Sequence, residues 1–316
     1  MLAIVGTVPD ETFPLISGQI RLEKDRLLVG ERQVPVNRGT PALLAAAIKT
    51  GEVLGLPCPL GYLVGDIGLG HGSRRLYEHL ARHMGRSPAR AITFHYLQPD
   101  VDWHNKVLFA VEEMRPRPIL IADAGFMYAA KMSGQSEAYE LFTPDAGELA
   151  FLADEKAPHP FYTRGFILHE ENHIPELITR AYDHKNAARH LLVKGRQDFI
   201  ATKQGIRATV ERPVEEGLEA MGGTGDTLTG IVSALIDSGR ETLEAAVLAA
   251  RINRLAGRYA HPTPASQVTE IIAHIPRAVE EVMKGRGNGR KDSAPPQRPK
   301  FENAVDPVTV TETQGL

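Results

Sequence analysis

Cysteine is almost missing from this chain: Cys58, in the run LPCPL, is the only one among 316 residues. A single thiol excludes an intrachain disulfide framework and a cysteine-based zinc knuckle. With no partner of a catalytic thiol beside it, Cys58 reads as a small buried hydrophobe. A basic excess is also lacking. With 36 Lys+Arg against 39 Asp+Glu, the chain has no electrostatic footprint for nucleic acid or an acidic membrane surface. No apolar run approaches the ~18 residues that span a bilayer. The start MLAIVGTVPDE has neither a basic n-region nor a long apolar core, so a cytoplasmic protein is expected.

What is present is globular: 42% of residues are hydrophobic and 24% charged, enough to build a sizeable core. Leu2–Val8 reads as a buried strand, and Leu15–Val36 alternates like a hairpin. TPALLAAAIKTGEVL at Thr40–Leu54 has proline in its first turn and an Ala/Leu-rich face, so it predicts a helix packed on a flat surface. GYLVGDIGLGHGSRRLYEHLARHM then runs strand, glycine-rich turn, helix, while PRPILIADAGFM and HLLVKGRQDFIAT each supply an apolar strand. Helices are expected over Asp226–Ser238, Glu241–Ala260 and Gln267–Lys284. Strands alternating with helices imply an α/β fold with a mainly parallel, doubly wound sheet, whose ligands bind beyond the carboxyl ends of the strands. From Gly285 to Leu316 the composition turns to GRGNGRKDSAPPQRPK and beyond, which reads as a disordered tail. One domain, 1–284, is therefore expected, and its oligomeric state, homo-oligomers included, is left open.

The sharpest motif is MGGTGDTLTG at Met221–Gly230. Gly222, Gly223, Thr224 and Gly225 precede an acid and an apolar helix, so backbone N–H groups converge where the helix dipole favours negative charge. Such a pocket suits a phosphate in transfer, with Asp226 placed to take a proton from an attacking hydroxyl. A plain loop with Asp226 as N-cap fits the same residues.

Three further strand ends carry chemistry-bearing residues. Asp145 and Glu148 in LFTPDAGEL could organise magnesium, or could form a capping box. Lys194 and Gly195 in VKG could approach a ligand, or form an ordinary turn. The glycines of GDIGLGHG at Gly65–Gly72, Gly68 and Gly70 among them, could admit a bulky ligand, although the spacing fits no Walker or dinucleotide pattern. HEENH at His169–His173 mimics a zinc-peptidase motif, but Pro175 starts a new helix directly after it, so no zinc site is expected. His159, His184 and His190 are assigned surface or structural roles. Asn253 and Arg254 read first as a solvated helix face.

These pieces, in this order, make the stretch from about Asn37 to Ala260 resemble the ribokinase-like superfamily. Within it they resemble the ADP- or ATP-dependent NAD(P)H-hydrate dehydratases. GGTGDTLTG is similar to that family's nucleotide and catalytic signature, GDIGLG to its substrate loop, IADAGF to its aspartate-bearing strand end, TPDAGE to its Pro-Gly-Glu element, and VKG to its phosphate-side lysine. The resemblance implies a three-layer α/β/α fold with ATP or ADP and Mg2+. It makes Asp226 the base and Gly223, Thr224 and Gly225 the anion hole. Nucleotide contacts fall on Lys194, Gly195, Gly222 and Asn253, and substrate contacts on Gly68, Gly70 and Asp123. Glu148 and Asp145 stand on the metal side. It also implies a small-molecule partner, an NAD(P)H hydrate or another hydroxylated metabolite.

The chain departs from the family where Asp145-Ala146 replace His-Pro, where the glycine-rich loop is one residue longer, and where Asp123-Ala124-Gly125 shortens Asp-Ala-Asp-Gly. A sugar or vitamin-precursor kinase, and a nucleotide-binding protein without turnover, stand as alternatives.

Overall fold

The computed structural model describes residues 1–155, 173–218, 221–263 and 265–288. Eleven strands form one sheet: β1 (Leu2–Val8), β2 (Ile16–Glu23), β3 (Arg26–Val29), β4 (Arg32–Pro35), β5 (Leu60–Gly65), β6 (Ala91–Phe94), β7 (Ile119–Ala122), β8 (Leu141–Phe142), β9 (His190–Val193), β10 (Asp198–Thr202) and β11 (Gly205–Val210). Their order is β11-β10-β9-β8-β7-β6-β1-β5-β2-β3-β4. The six central strands, β9 through β5, are parallel, and both edges are antiparallel. Every residue of β1 is buried, as a strand covered on both faces requires.

The helices are α1 (Thr40–Leu54), α2 (His71–His83), α3 (Val101–Glu112), α4 (Ala124–Met132), α5 (Ala146–Ala153), α6 (Ile174–Asp183), α7 (Thr224–Asp237), α8 (Thr242–Ala260) and α9 (Val268–Asn288). The core residues of α1, α7, α8 and α9 belong to one apolar cluster and those of α2 to α6 to another, so the sheet lies between two helical layers. Close approach of α1 and α7 depends on Gly230, where an added Cβ would stand 2.2 Å from the Leu43 carbonyl oxygen. None of the described helices is long and apolar enough to cross a membrane.

The chain passes from β1 through α1 to β5 on one side, then through α2 on the opposite face to β6 on the other side of β1. The connections therefore diverge at the carboxyl ends of β1, β5 and β6, which opens a crevice there.

Several local expectations change. Leu15–Val36 is a three-stranded meander rather than one hairpin, because two short turns, at Lys24-Asp25 and Gly30-Glu31, divide it. HLLVKGRQDFIAT is two antiparallel strands separated by Lys194–Gln197. The last helix continues through Asn288, past the expected boundary at Lys284, and the remainder of the tail lies outside the described residues. Cys58 is half-buried, not fully enclosed.

Candidate active site

Gly223 is the N-cap of α7, with φ 101°, a left-handed backbone that glycine adopts without a Cβ penalty. Thr227 N–H makes the first bond of the helix, to the Gly223 carbonyl. The amides of Thr224, Gly225 and Asp226 therefore stand outside the helical ladder at its positive end. Asn253 of α8 braces this turn: its amide donates to the Thr224 carbonyl at 3.1 Å and its Oδ1 accepts from Thr227 Oγ1 at 2.7 Å. Its observed role is to shape the turn, and it does not line either of the two cavities below.

Asp226 lies inside the first turn, not at the cap, and is 8% exposed. Its Oδ2 accepts the Gly39 N–H at 2.6 Å and its Oδ1 faces His95 Nε2 at 3.1 Å. Burial alone would raise this carboxyl. The His95 hydrogen bond, the Lys194 ammonium and the Gly39 amide outweigh burial and hold it below the ordinary aspartate value. Asp226 is thus ionised at neutral pH, as a proton acceptor must be.

Lys194 follows β9, and its ammonium reaches both oxygens of Asp123, at 2.8 and 3.0 Å. Asp123 caps α4 through the Ala124 amide and accepts from Thr229 Oγ1 at 2.6 Å. It is 1% exposed and lines neither cavity, and in this structure its carboxylate accepts from Ala124, Lys194 and Thr229. Burial pushes the Lys194 ammonium down, but Asp123, Glu148 and Asp145 push it further up, so it stays charged. A Cβ placed on Gly225 would lie 3.6 Å from Lys194 Nζ, which sets this cation directly beneath the glycine turn.

Asp145 and Glu148 form a full capping box at the start of α5, each donating its amide to the other's carboxyl at 2.8 Å. Burial first, then the neighbouring charges of Asp145 and Asp123, raise the Glu148 carboxyl against the pull of Lys194. One oxygen of each acid is committed to the box. The others are hard donors of the type magnesium accepts, in a region of accumulated negative charge, so the residues fit such an ion.

Two cavities flank this centre. The larger, about 1180 Å³, is lined by Lys194, Gly195, Arg196, Arg212, Arg258 and His261, among others. Its floor is fixed by Arg254, which is buried and not on a solvated face. Its guanidinium bonds Asp198 at 2.7 Å and the carbonyls of Gly195 and Arg196 at 3.0 and 2.9 Å. Removing one partner of a buried ion pair leaves the other charge uncompensated. Arg254→Leu is therefore expected to cost about 3–5 kcal/mol in urea unfolding, because the 195–198 turn loses its anchor.

The smaller cavity, about 360 Å³, sits in the crevice beside β1 and is lined by residues including Thr7, Arg38, Gly39, Asp66, Tyr96 and Gln98. The loop after β5 forms one wall, with Gly68 facing this cavity and Gly70 a neighbouring one. Asp66 organises that loop by accepting from the amides of Gly68, Gly70 and Ser73. Although burial opposes it, these bonds and the Ser73 hydroxyl keep the Asp66 carboxyl below its ordinary value. Tyr96 holds φ 48°, and its carbonyl is pinned by Thr7 Oγ1 at 2.9 Å. Non-glycine residues seldom adopt that conformation outside constrained sites.

Arg38, His95, Tyr96 and Gln98 went unnoticed in the sequence. HYLQP carries no glycine signature, and its one local signal is placement immediately after the short apolar run AITF.

His95, Asp123 and Asp226 each bring a ligand atom within 4.8 Å of the others, a spacing a metal could use. Here hydrogen bonds and the Lys194 ammonium already balance the two carboxylates. His190 pairs with Glu140, which fits its structural assignment. Of HEENH only His173 is described, as the exposed N-cap of α6, and His159 lies outside the described residues.

A helix amino end aimed at a crevice, with an ionised aspartate at its first turn, in a doubly wound sheet between two helical layers, defines a nucleotide-dependent enzyme of the ribokinase-like fold. The same architecture occurs in ADP/ATP-dependent NAD(P)H-hydrate dehydratase from Bacillus subtilis, crystallised with ATP and Mg2+. The TM-score is 0.55 at 16% identity, over 89% of each chain. Residues 98–277 match the Carb_kinase family model, described as NAD(P)H-hydrate dehydratase, and the chain belongs to that family. An uncharacterized protein of Methanocaldococcus jannaschii is 40% identical over 243 residues, covering 77% of this chain and all of that one. ADP-dependent (S)-NAD(P)H-hydrate dehydratase of Cenarchaeum symbiosum is 32% identical over 149 residues, which span 46% of each protein.

Proposed function

We propose that this chain removes water from hydrated NAD(P)H, using ADP or ATP as phosphoryl donor. The observation that carries the reading is the placement of Asp226 between two cavities. Its carboxylate bonds Gly39, a lining residue of the smaller cavity, while its neighbour Gly225 lies against Lys194, which lines the larger. The larger cavity takes the nucleotide, its phosphates directed to the amides of Thr224, Gly225 and Asp226. The smaller takes the hydrated ring. At about 360 Å³ it suits a ring and its substituents, so the rest of the dinucleotide extends past the exposed Ile67 and Leu69.

Asp226 accepts the proton of the ring hydroxyl as its oxygen attacks the terminal phosphorus. The bond to the departing nucleotide breaks with its electron pair on that nucleotide, and the α7 amides with Lys194 offset charge on the equatorial oxygens. The ring nitrogen lone pair then expels phosphate. A proton leaves the adjacent carbon, and the conjugated dihydropyridine returns. Hydroxide is a poor leaving group and phosphate a good one, which is why the nucleotide is needed. Magnesium held through Glu148 and Asp145 would neutralise charge on the donor phosphates.

Mixing the protein with NADH hydrate, magnesium and either ADP or ATP tests this directly: dihydropyridine absorbance should recover with at least one nucleotide. No recovery with either would refute the reading.

A further inference from the structure

His95 is wholly enclosed, at 0% exposure, so it neither meets substrate nor passes a proton to solvent. Both of its ring nitrogens are nevertheless committed. Nε2 lies 3.1 Å from Asp226 Oδ1, and Nδ1 lies 3.0 Å from the hydroxyl of Thr40, the first residue of α1. An ionised carboxylate only accepts, so the Nε2 proton points at Asp226, and Nδ1 is left to pair with the Thr40 hydroxyl. With Gly39 N–H on the other oxygen, the Asp226 carboxylate is gripped from two sides, by the residue that follows β6 and by the N-cap of α1.

The charged and titratable groups around this pair are Asp123 at 3.8 Å from Nε2, Lys194 behind Asp123, and Tyr96, whose ring packs edge-on to His95 with centroids 4.2 Å apart. From α1 the contact is the uncharged Thr40. Asp123 is already saturated by Lys194 and Thr229, so His95 serves Asp226.

We propose that His95, anchored by Thr40, is the positioning residue that fixes the Asp226 carboxylate as a proton acceptor beside the smaller cavity. This rests on Asp226 being the base, and the two ideas fail separately: wild-type turnover by Asp226→Asn would refute the base, whatever His95 does.

The test compares His95→Phe, His95→Gln and Thr40→Val for kcat, nucleotide KM and the pH profile. Turnover falls on the acid side as Asp226 takes up a proton. Loss of its donor lifts the carboxyl, so for His95→Phe the acid limb should move to higher pH by about 1–2 units, the scale of one charge-assisted hydrogen bond. kcat at neutral pH should drop by about 10- to 100-fold, while nucleotide KM should hold within about 3-fold because the larger cavity is untouched. His95→Gln puts an amide donor near the Nε2 position and should restore the acid limb and most of kcat. Thr40→Val, which removes only the anchor, should give a smaller loss of kcat with the same direction of shift.

Three results would each overturn the proposal: a wild-type acid limb and kcat in His95→Phe, equal impairment of the Gln and Phe variants with nucleotide binding intact, or an unmoved profile in Thr40→Val. Should His95→Phe not fold, the Gln and Val variants decide.

Discussion

Asp226→Asn should retain the fold and bind nucleotide within a few-fold of wild type, yet lose about 10²–10⁴ in kcat, the usual contribution of a positioned base. The fold survives because the new amide can be accommodated. Its oxygen accepts the Gly39 N–H, its NH2 donates to His95 Nε2, and His95 switches tautomer to donate from Nδ1 to Thr40. The amide cannot take a proton from the acceptor hydroxyl. Unchanged melting with collapsed turnover is thus the expected pair of results, and unchanged turnover would remove Asp226 from the mechanism.

Lys194→Met should be harmful in two separable ways. The ammonium bonds both oxygens of a carboxylate that is 1% exposed, so its removal leaves Asp123 buried and short of a cation, at a cost of about 3–5 kcal/mol in unfolding measurements. Turnover should also fall, by roughly 10² or more, if the cation beneath Gly225 offsets phosphoryl charge as the proposed mechanism requires. Adding Asp123→Asn neutralises the orphaned carboxylate. The double variant should regain much of the lost stability while turnover stays low. Recovery of both together would reduce Lys194 to a structural counter-ion.

How much of this was readable along the chain depends on how local each signal is. The α7 turn was legible because glycines, a small polar residue and an acid sit next to each other before an apolar helix, and one peptide segment holds the whole turn and helix start. The layered α/β fold was legible for a similar reason, since strand and helix periods alternate within short windows. The meander at 16–35 was harder, because alternation over so short a stretch does not fix the number of turns.

The surroundings of Asp226 were not legible. His95 and Asp226 are 131 positions apart, and His95 and Thr40 are 55 apart; only the parallel sheet brings those ends together. Lys194 and Asp123 were each given a ligand to bind, one a nucleotide and one a substrate. Their 71-residue separation hid that they bind one another. Arg254 followed the same pattern, its helix position suggesting solvent while Asp198 awaited it. A polar residue whose partner is remote, as Arg254 is from Asp198, reads as surface until the fold supplies the partner.

These remote pairings also bear on the departures from the family pattern. Asp123-Ala124-Gly125 lacks the second acid, and the first is enclosed, while the smaller cavity is lined by Tyr96, Gln98, Arg38 and the loop braced by Asp66, which under the proposed function would meet the substrate. The cavity they surround opens beside Asp226 whatever ring occupies it. The decisive question is therefore whether the hydroxyl phosphorylated there leaves as phosphate.

Following dihydropyridine absorbance and inorganic phosphate release together, with NADH hydrate, magnesium and the preferred nucleotide, addresses that question directly. The two rates should be equal, one phosphate released for each ring restored. Nucleotide consumed into a stable phosphorylated product, with no absorbance recovered, would contradict the account and leave a small-molecule kinase.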